Sequence, residues 1–273
     1  MPKRSKEPKS SQGVDGHSAA SGGRGASTSG GRTSKRRFEG FPLHLLNDPQ
    51  WAPPPSPRIE ELVPGRVLAV HNVLTPKECH DWVSYCESSG GLEYTQHPAT
   101  QWVAHRECYR MQQADATILA GRLFQRTQQL GTLLSLIQRE MILLNHNPHY
   151  GPVGCNPNLR VYKYTKGHSF GRHVDDSNLV GENTTMRGGK TEWTVLVYLS
   201  ECQGGATQFY TDDSTTKKKK CVPKSIAFDP KVGSMLIHLH GDHCLEHEAD
   251  QVLGGVKYVL RTDLVFRDPR GNG

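Results

Sequence analysis

Arg172-His173-Val174-Asp175 sets an imidazole and a carboxylate two residues apart. On a β-strand, residues i and i+2 face the same side, so both groups would enter one cavity. Two ligands from one strand and one distant histidine make a two-His-one-carboxylate facial triad. That triad holds Fe(II) on one face and leaves the opposite positions open. His-x-Asp alone is a short signal, and His240-Gly241-Asp242 repeats it. The distant histidine must come from downstream, where His238-Leu-His240-Gly-Asp242-His243-Cys244-Leu-Glu-His247 is the richest source. His247 is the last histidine of the chain and His243 its nearest substitute. A zinc site could also be drawn from this cluster, since Zn²⁺ accepts His, Cys and Asp. Its spacing matches no standard zinc module, however, and it leaves His173 without a role. Ten residues past His247 comes Lys257, followed by Arg261. A cation on a strand at this point can neutralise the far carboxylate of a bound dicarboxylic acid. The even separation of Lys257 and Arg261 lets both face the same side.

These groups need a scaffold, and the sequence supplies one in two textures. Arg66–Leu74 reads as a strand. Thr75-Pro76-Lys77-Glu78 then starts a helix, with Thr75 as N-cap, Pro76 in the first turn and Glu78 reciprocating; Ser88-Ser-Gly-Gly91 ends it. Apolar residues from Ile118 to Ile137 recur at helical spacing and predict a second helix over Ala114–Met141, bent or divided at Gly131. From Asn158 onward the texture turns to short β-branched and aromatic runs. Strands are predicted at Leu159–Tyr164, His173–Asp175, Thr191–Tyr198, Thr207–Phe209, Ser225–Phe228, Ser234–His238 and Lys257–Phe266. Many short strands separated by turn signals point to a sandwich or jelly roll.

At 273 residues the chain suffices for one sizeable domain with an appendage. Residues 1–37 hold nine Lys/Arg against two acids, leaving 24 basic and 25 acidic residues in the rest. The excess of positive charge therefore belongs to a tail, and the near-neutral body argues against a broad nucleic-acid surface. The reading divides the chain into a disordered basic tail (1–40), a Pro-rich linker (41–62), a helical support region (63–150) and the chemical core (151–273). No run is apolar enough to span a membrane, and the start of the chain lacks the apolar stretch of a secretory signal. Seven cysteines with no CxxC pair read as reduced thiols, so an intracellular setting, cytoplasm or nucleus, is expected. The loop 176–191 is polar and glycine-hinged, which suits a cover over a substrate, and the lysine-rich run 211–220 reads as a solvated hairpin insertion.

Residues 159–266 resemble the catalytic core of the 2-oxoglutarate- and Fe(II)-dependent dioxygenases, nearest the prolyl 4-hydroxylase-like branch. The resemblance rests on Tyr164-x2-Gly167-x2-Phe170-x2-His173-x-Asp175, Thr194–Ser200, Gly204-Gly205-x-Thr207-x-Phe209 and His247-x4-Val252-x2-Gly255-x-Lys257-Tyr258, in that order. It implies an α+β chain in which N-terminal helices support a double-stranded β-helix, the jelly roll. It also implies His173, Asp175 and His247 as iron ligands. Lys257 is implied as partner of the 2-oxoglutarate C5 carboxylate, Tyr164 as a second contact, and Arg261 competes with Lys257. The implied reaction uses Fe(II), 2-oxoglutarate and O₂, with ascorbate keeping iron reduced, and hydroxylates a C–H bond while releasing succinate and CO₂. A protein substrate, hydroxylated at proline, is the expected partner. Two rivals stand beside it. Arg261-x5-Arg267 has the spacing of AlkB-like nucleic-acid demethylases, although Asp263 and Val265 depart from that signature. A non-catalytic metal-binding interaction protein would keep the ligands without turnover.

Overall fold

The computed structural model describes residues 38–273 apart from 54–56, 102, 145, 182–185, 212–223, 269 and 271–273. Nearly all of the basic tail and of the lysine-rich run lies outside the described residues. Fifteen strands are present among the described residues: β1 (Ile59–Val63), β2 (Val67–Val70), β3 (Glu93–His97), β4 (Arg106–Gln113), β5 (Gly151–Cys155), β6 (Leu159–Tyr164), β7 (Phe170–His173), β8 (Lys190–Tyr198), β9 (Cys202–Gly204), β10 (Thr207–Thr211), β11 (Lys224–Phe228), β12 (Met235–Leu239), β13 (His247–Ala249), β14 (Val252–Gly255) and β15 (Lys257–Arg267). Antiparallel pairing orders them β1-β2-β12-β8-β15-β6-β4-β7-β13-β10-β11, with β3 on β4, β5 on β15 and β14 on β9. The sheet is barrel-like, a jelly roll, and three helices pack behind it: α1 (Pro76–Ser88), α2 (Thr117–Gln128) and α3 (Leu133–Leu143).

The central strands are buried on both faces, and the period of two assigns each face a different task. Val195 and Val197 of β8, Met235 and Ile237 of β12, and Leu260 and Leu264 of β15 join Trp82, Leu119, Leu123 and Ile137 of the helices in one large core. The alternate residues point into the roll. There Tyr198, Leu236 and Val259 form a smaller apolar cluster with Phe209 and Phe228. Interspersed on the same inner faces are Thr194, His238, Lys257 and Arg261. The helices thus stabilise one side of the strands while the other side is free to carry chemistry.

Helix α1 begins with both halves of the capping box, Thr75 accepting from the Glu78 N–H and Glu78 accepting from the Thr75 N–H. The long predicted helix is two helices, parted at Gly131, whose φ of +60° favours glycine. The segment 41–62 is more than an extended linker. Leu43–Leu46 form a 3-10 helix, β1 pairs with β2, and Phe41, Leu45 and Leu46 are buried in the helical core. Those three apolar residues override the proline-rich composition, Phe41 packing 5.1 Å from the Trp82 ring. The His173–Asp175 strand is shifted to Phe170–His173. Asp175 is held by a turn instead: its carbonyl accepts from Gly241 N–H and its N–H donates to Cys244 Sγ.

Glu78 has a second task. Arg126 of α2 donates to both its carboxylate oxygens, Nη1 to Oε2 at 2.7 Å and Nη2 to Oε1, with both side chains buried. Arg126 also lies over the Trp51 ring at 4.3 Å, docking the N-terminal segment. Arg126→Ala leaves Glu78 buried without its cation and is expected to lower stability by about 3–5 kcal/mol. Urea unfolding measures it; a loss under about 1 kcal/mol, the surface-pair range, would show that the pair does not hold α1 to α2.

Candidate active site

His173 and His247 are direct cross-strand partners on antiparallel β7 and β13, so the backbone register alone brings their rings together, with centroids 4.3 Å apart. Asp175, just past β7, completes the group: Oδ1 lies 3.7 Å from His173 Nε2 and Oδ2 lies 3.8 Å from His247 Nε2. One ligand atom from each of the three falls within 4.8 Å of the others, and all three residues are buried. Both imidazoles are oriented from behind. Nδ1 of His173 faces the Gly171 carbonyl at 2.8 Å and Nδ1 of His247 faces the Leu245 carbonyl at 2.9 Å. A carbonyl can only accept, so each Nδ1 carries the proton and each Nε2 presents a lone pair to the cavity. Phe170 stacks on His173 at 3.7 Å and Phe209 on His247 at 5.4 Å, shielding the rings.

Electrostatics favour a cation at this point. Burial holds the His173 imidazole well below its ordinary pKa and lowers that of His247, so both rings are neutral donors. Burial would raise Asp175, but Arg261, ahead of the neighbouring imidazoles, holds it well below the usual carboxylate range. Arg261 Nη2 lies 2.9 Å from Asp175 Oδ2, and Thr194 Oγ1 donates to the same oxygen at 2.7 Å. Having spent its proton there, the Thr194 hydroxyl accepts from His240 Nε2 at 2.6 Å. Oδ2 is thereby tied back and Oδ1 is left facing His173. Two neutral imidazole lone pairs and an ionised carboxylate fit a divalent metal of the Fe(II) type.

The cavity that contains these groups is also lined by Tyr164, Thr207, Lys257 and Arg261. Lys257 is buried, and its ammonium donates to the Gly205 carbonyl at 2.6 Å. It lies 5.6 Å from the Tyr164 ring and 5.5 Å from the Tyr198 ring. Burial lowers its pKa to about 8. No carboxylate among the described residues lies within ion-pair distance of Lys257, whereas Arg261 is committed to Asp175 and, at 3.7 Å, to Asp263. Gly205 has φ +67°, and a Cβ there would meet Cys202 Sγ at 2.9 Å and Lys257 Cδ at 3.3 Å. The Gly-Gly pair therefore gives Lys257 its room.

Asp242 of the second His-x-Asp motif and His243, the substitute for His247, sit exposed on a 3-10 turn (Gly241–His243), while His240 is buried against Thr194. Cys244 Sγ approaches His247 at Nδ1, 4.0 Å away, the nitrogen already given to Leu245, so the zinc grouping competes poorly for this ring. Arg267 is exposed. Six residues from Arg261 it keeps the same parity, since Leu260, Leu264 and Phe266 all pack in the helical core, but it lies at the end of β15, beyond the residues that line the cavity. Thr194, His238, Tyr198 and Thr207 are cavity or anchor residues that motif reading alone passes over. Their signal is a polar or phenolic residue at inward positions of otherwise apolar strands.

Residues 159–262 match the family model described as "2OG-Fe(II) oxygenase superfamily". No curated protein matches this chain. Similar solved structures include a Pseudomonas putida prolyl-4-hydroxylase, 15% identical over 75% of this chain and 95% of that one, with a TM-score of 0.46. A Trichoplax adhaerens prolyl hydroxylase, solved with a hypoxia inducible factor oxygen degradation domain peptide fragment, is 16% identical over 75% and 86%, TM-score 0.46. The viral collagen prolyl hydroxylase of Paramecium Bursaria Chlorella virus-1 is 15% identical over 73% and 96%, TM-score 0.40. Every residue that lines the cavity falls inside the segment matched to that family model.

Proposed function

We propose that this chain is a 2-oxoglutarate- and Fe(II)-dependent dioxygenase that hydroxylates a C–H bond of a protein substrate, with a prolyl residue as the first candidate. The observation that carries this reading is the convergence, in one buried cavity, of His173, Asp175 and His247 with the ammonium of Lys257, which has no carboxylate partner among the described residues. Bound iron and cosubstrate would supply the oxidising chemistry, 2-oxoglutarate and O₂ giving succinate, CO₂ and the hydroxylated product. The chain's own part is placement. His173, Asp175 and His247 hold the metal, and Arg261 with Thr194 positions Asp175. Lys257 takes the C5 carboxylate, with Tyr164 and the hydrogen-bonded pair Tyr198 and Thr207 (2.8 Å) lining that end.

A protein substrate is favoured over nucleic acid by charge. Glu246, Glu248 and Asp250 follow one another along and beside β13, Glu248 lining the cavity, which opposes a phosphate backbone. The exposed position of Arg267 likewise removes the second arginine of the demethylase spacing from the cavity. Cys79, Cys86, Cys108, Cys155, Cys202 and Cys244 are free thiols, in keeping with a reducing, intracellular setting. Ascorbate is proposed as the reductant that maintains Fe(II).

Purified full-length chain with Fe(II), ascorbate and 2-oxoglutarate is expected to form succinate slowly without a protein substrate, and to bind 2-oxoglutarate anaerobically. His173→Ala and His247→Ala should each weaken Mn(II) binding, measured by calorimetry, by about a hundredfold, while His243→Ala leaves it unchanged. Absence of 2-oxoglutarate binding in the metal-loaded wild type would overturn the assignment.

Lys257 adds a pH dependence. Below pH about 8 the ammonium is present and affinity for 2-oxoglutarate should be flat. Above it, binding must first take up a proton, so affinity should fall by about tenfold per pH unit. Lys257→Met should bind about a hundredfold more weakly and lose this slope. If Arg261→Met instead abolishes the C5 contact, seen as equal affinity for 2-oxoglutarate and 2-oxobutyrate, the anchor is Arg261.

A further inference from the structure

His238 is a fourth group in the cavity, beside the cluster of His173, Asp175 and His247. It lies on β12 directly opposite Thr194 of β8, at an inward position where Leu236 precedes it, so an apolar residue would suit the packing. Its side chain is 2% exposed. Nδ1 makes only a loose 3.4 Å approach to the carbonyl of its own neighbour, Leu239. Nε2 is buried with no hydrogen-bond partner at all. Leaving a buried polar atom unsatisfied costs about 1–3 kcal/mol, a penalty that a same-shaped phenyl ring would avoid. An orphan of this kind at a cavity wall is accounted for when the cavity's occupant supplies the partner.

Its position points to the metal. His238 Nε2 lies 3.8 Å from Asp175 Oδ2, the same separation that His247 Nε2 keeps from that oxygen. The His238 and His247 rings are 4.4 Å apart, matching the 4.3 Å between His173 and His247. A ligand nitrogen of His238 falls within 4.8 Å of one of His247 in a second cluster, which also contains Cys244 and shares His247 with the triad. His247 is thus flanked by two imidazoles at equal distances. The Phe209 ring, edge-on to His238 at 5.3 Å, braces the outer imidazole.

We propose that His238 supplies a third imidazole nitrogen to the metal held by His173, Asp175 and His247 when no cosubstrate is bound. The inference rests on the metal-site reading above. Its functional content is competition: a bidentate 2-oxo acid must displace His238 from the open face, so the cavity discriminates between binders by how well they replace an imidazole. A weak monodentate acid leaves His238 in place.

Substoichiometric Cu(II), the divalent ion that nitrogen donors bind most tightly, serves as the probe, and electron paramagnetic resonance counts the coordinated nitrogens. The wild-type full chain should show three, falling to two on addition of 2-oxoglutarate. His238→Phe, which keeps the packing against Phe209 and His247, should show two from the start. Its Mn(II) affinity should be about tenfold to a hundredfold weaker. His238→Gln serves the same purpose should the phenyl ring disturb folding, since an amide adds no imidazole signal. Two nitrogens in the wild type, with unchanged Mn(II) affinity in both variants, would overturn the role of His238. Were His173→Ala and His247→Ala also to leave Mn(II) binding untouched, the metal site itself would fall.

Discussion

Asp175 is a carboxylate removed from water, its side chain 1% exposed. A buried charge of this kind persists only where fixed donors and counter-charges replace the lost hydration. Arg261 and Thr194 do this directly, and each is held in turn. Arg261 lies between Asp175 and Asp263, Asp263 is bound by Arg160 at 2.7 Å, and Thr194 is held by His240. Alternating charge therefore runs from Arg160 of β6 through Asp263 and Arg261 of β15 to Asp175, with Thr194 of β8 beside it. Because no member of this layer can be exchanged alone without stranding its neighbour, the polar layer dictates which inward positions of these strands escape the apolar pattern.

The helices and the register divide the remaining work. The α1–α3 side takes the apolar faces of β8, β12 and β15, so those strands are rigid before any ligand arrives. The β7–β13 register then opposes His173 to His247 through backbone hydrogen bonds and not through loop geometry, which favours precision in a site built on strands. The Gly241–His243 turn closes the arrangement by holding the Asp175 backbone.

Much of this was legible in the sequence because it obeys local rules. The α1 start is written in Thr75, Pro76 and Glu78, the division of the long helix in Gly131, and β6 in Leu159–Tyr164. Parity correctly places Lys257 and Arg261 on one face. It does not bring Arg267 to the cavity, because face alone does not say how far along the strand the cavity reaches. The hairpin β3–β4 is hidden because Glu93-Tyr-Thr-Gln-His97 is mostly exposed and carries no apolar alternation. The docking of Phe41, Leu45 and Leu46 is a tertiary event that overrides proline-rich composition. The inward roles of Thr194 and His238 needed the cross-strand register, which no single segment contains.

The order of the strands has one more consequence. β15 follows β5, β6 and β8 in sequence yet pairs with all three. During synthesis β6 and β8 therefore emerge with their shared partner missing, and both present long, largely apolar edges open to wrong pairing. Such long-range pairing also belongs to slow-folding topologies. Arg261 and Lys257 arrive on that same last strand, so a nascent chain lacks both the counter-charge of Asp175 and the cation at the far end of the cavity. An unfinished polypeptide thus carries no assembled cluster of these groups; the cavity is completed only when the sheet is.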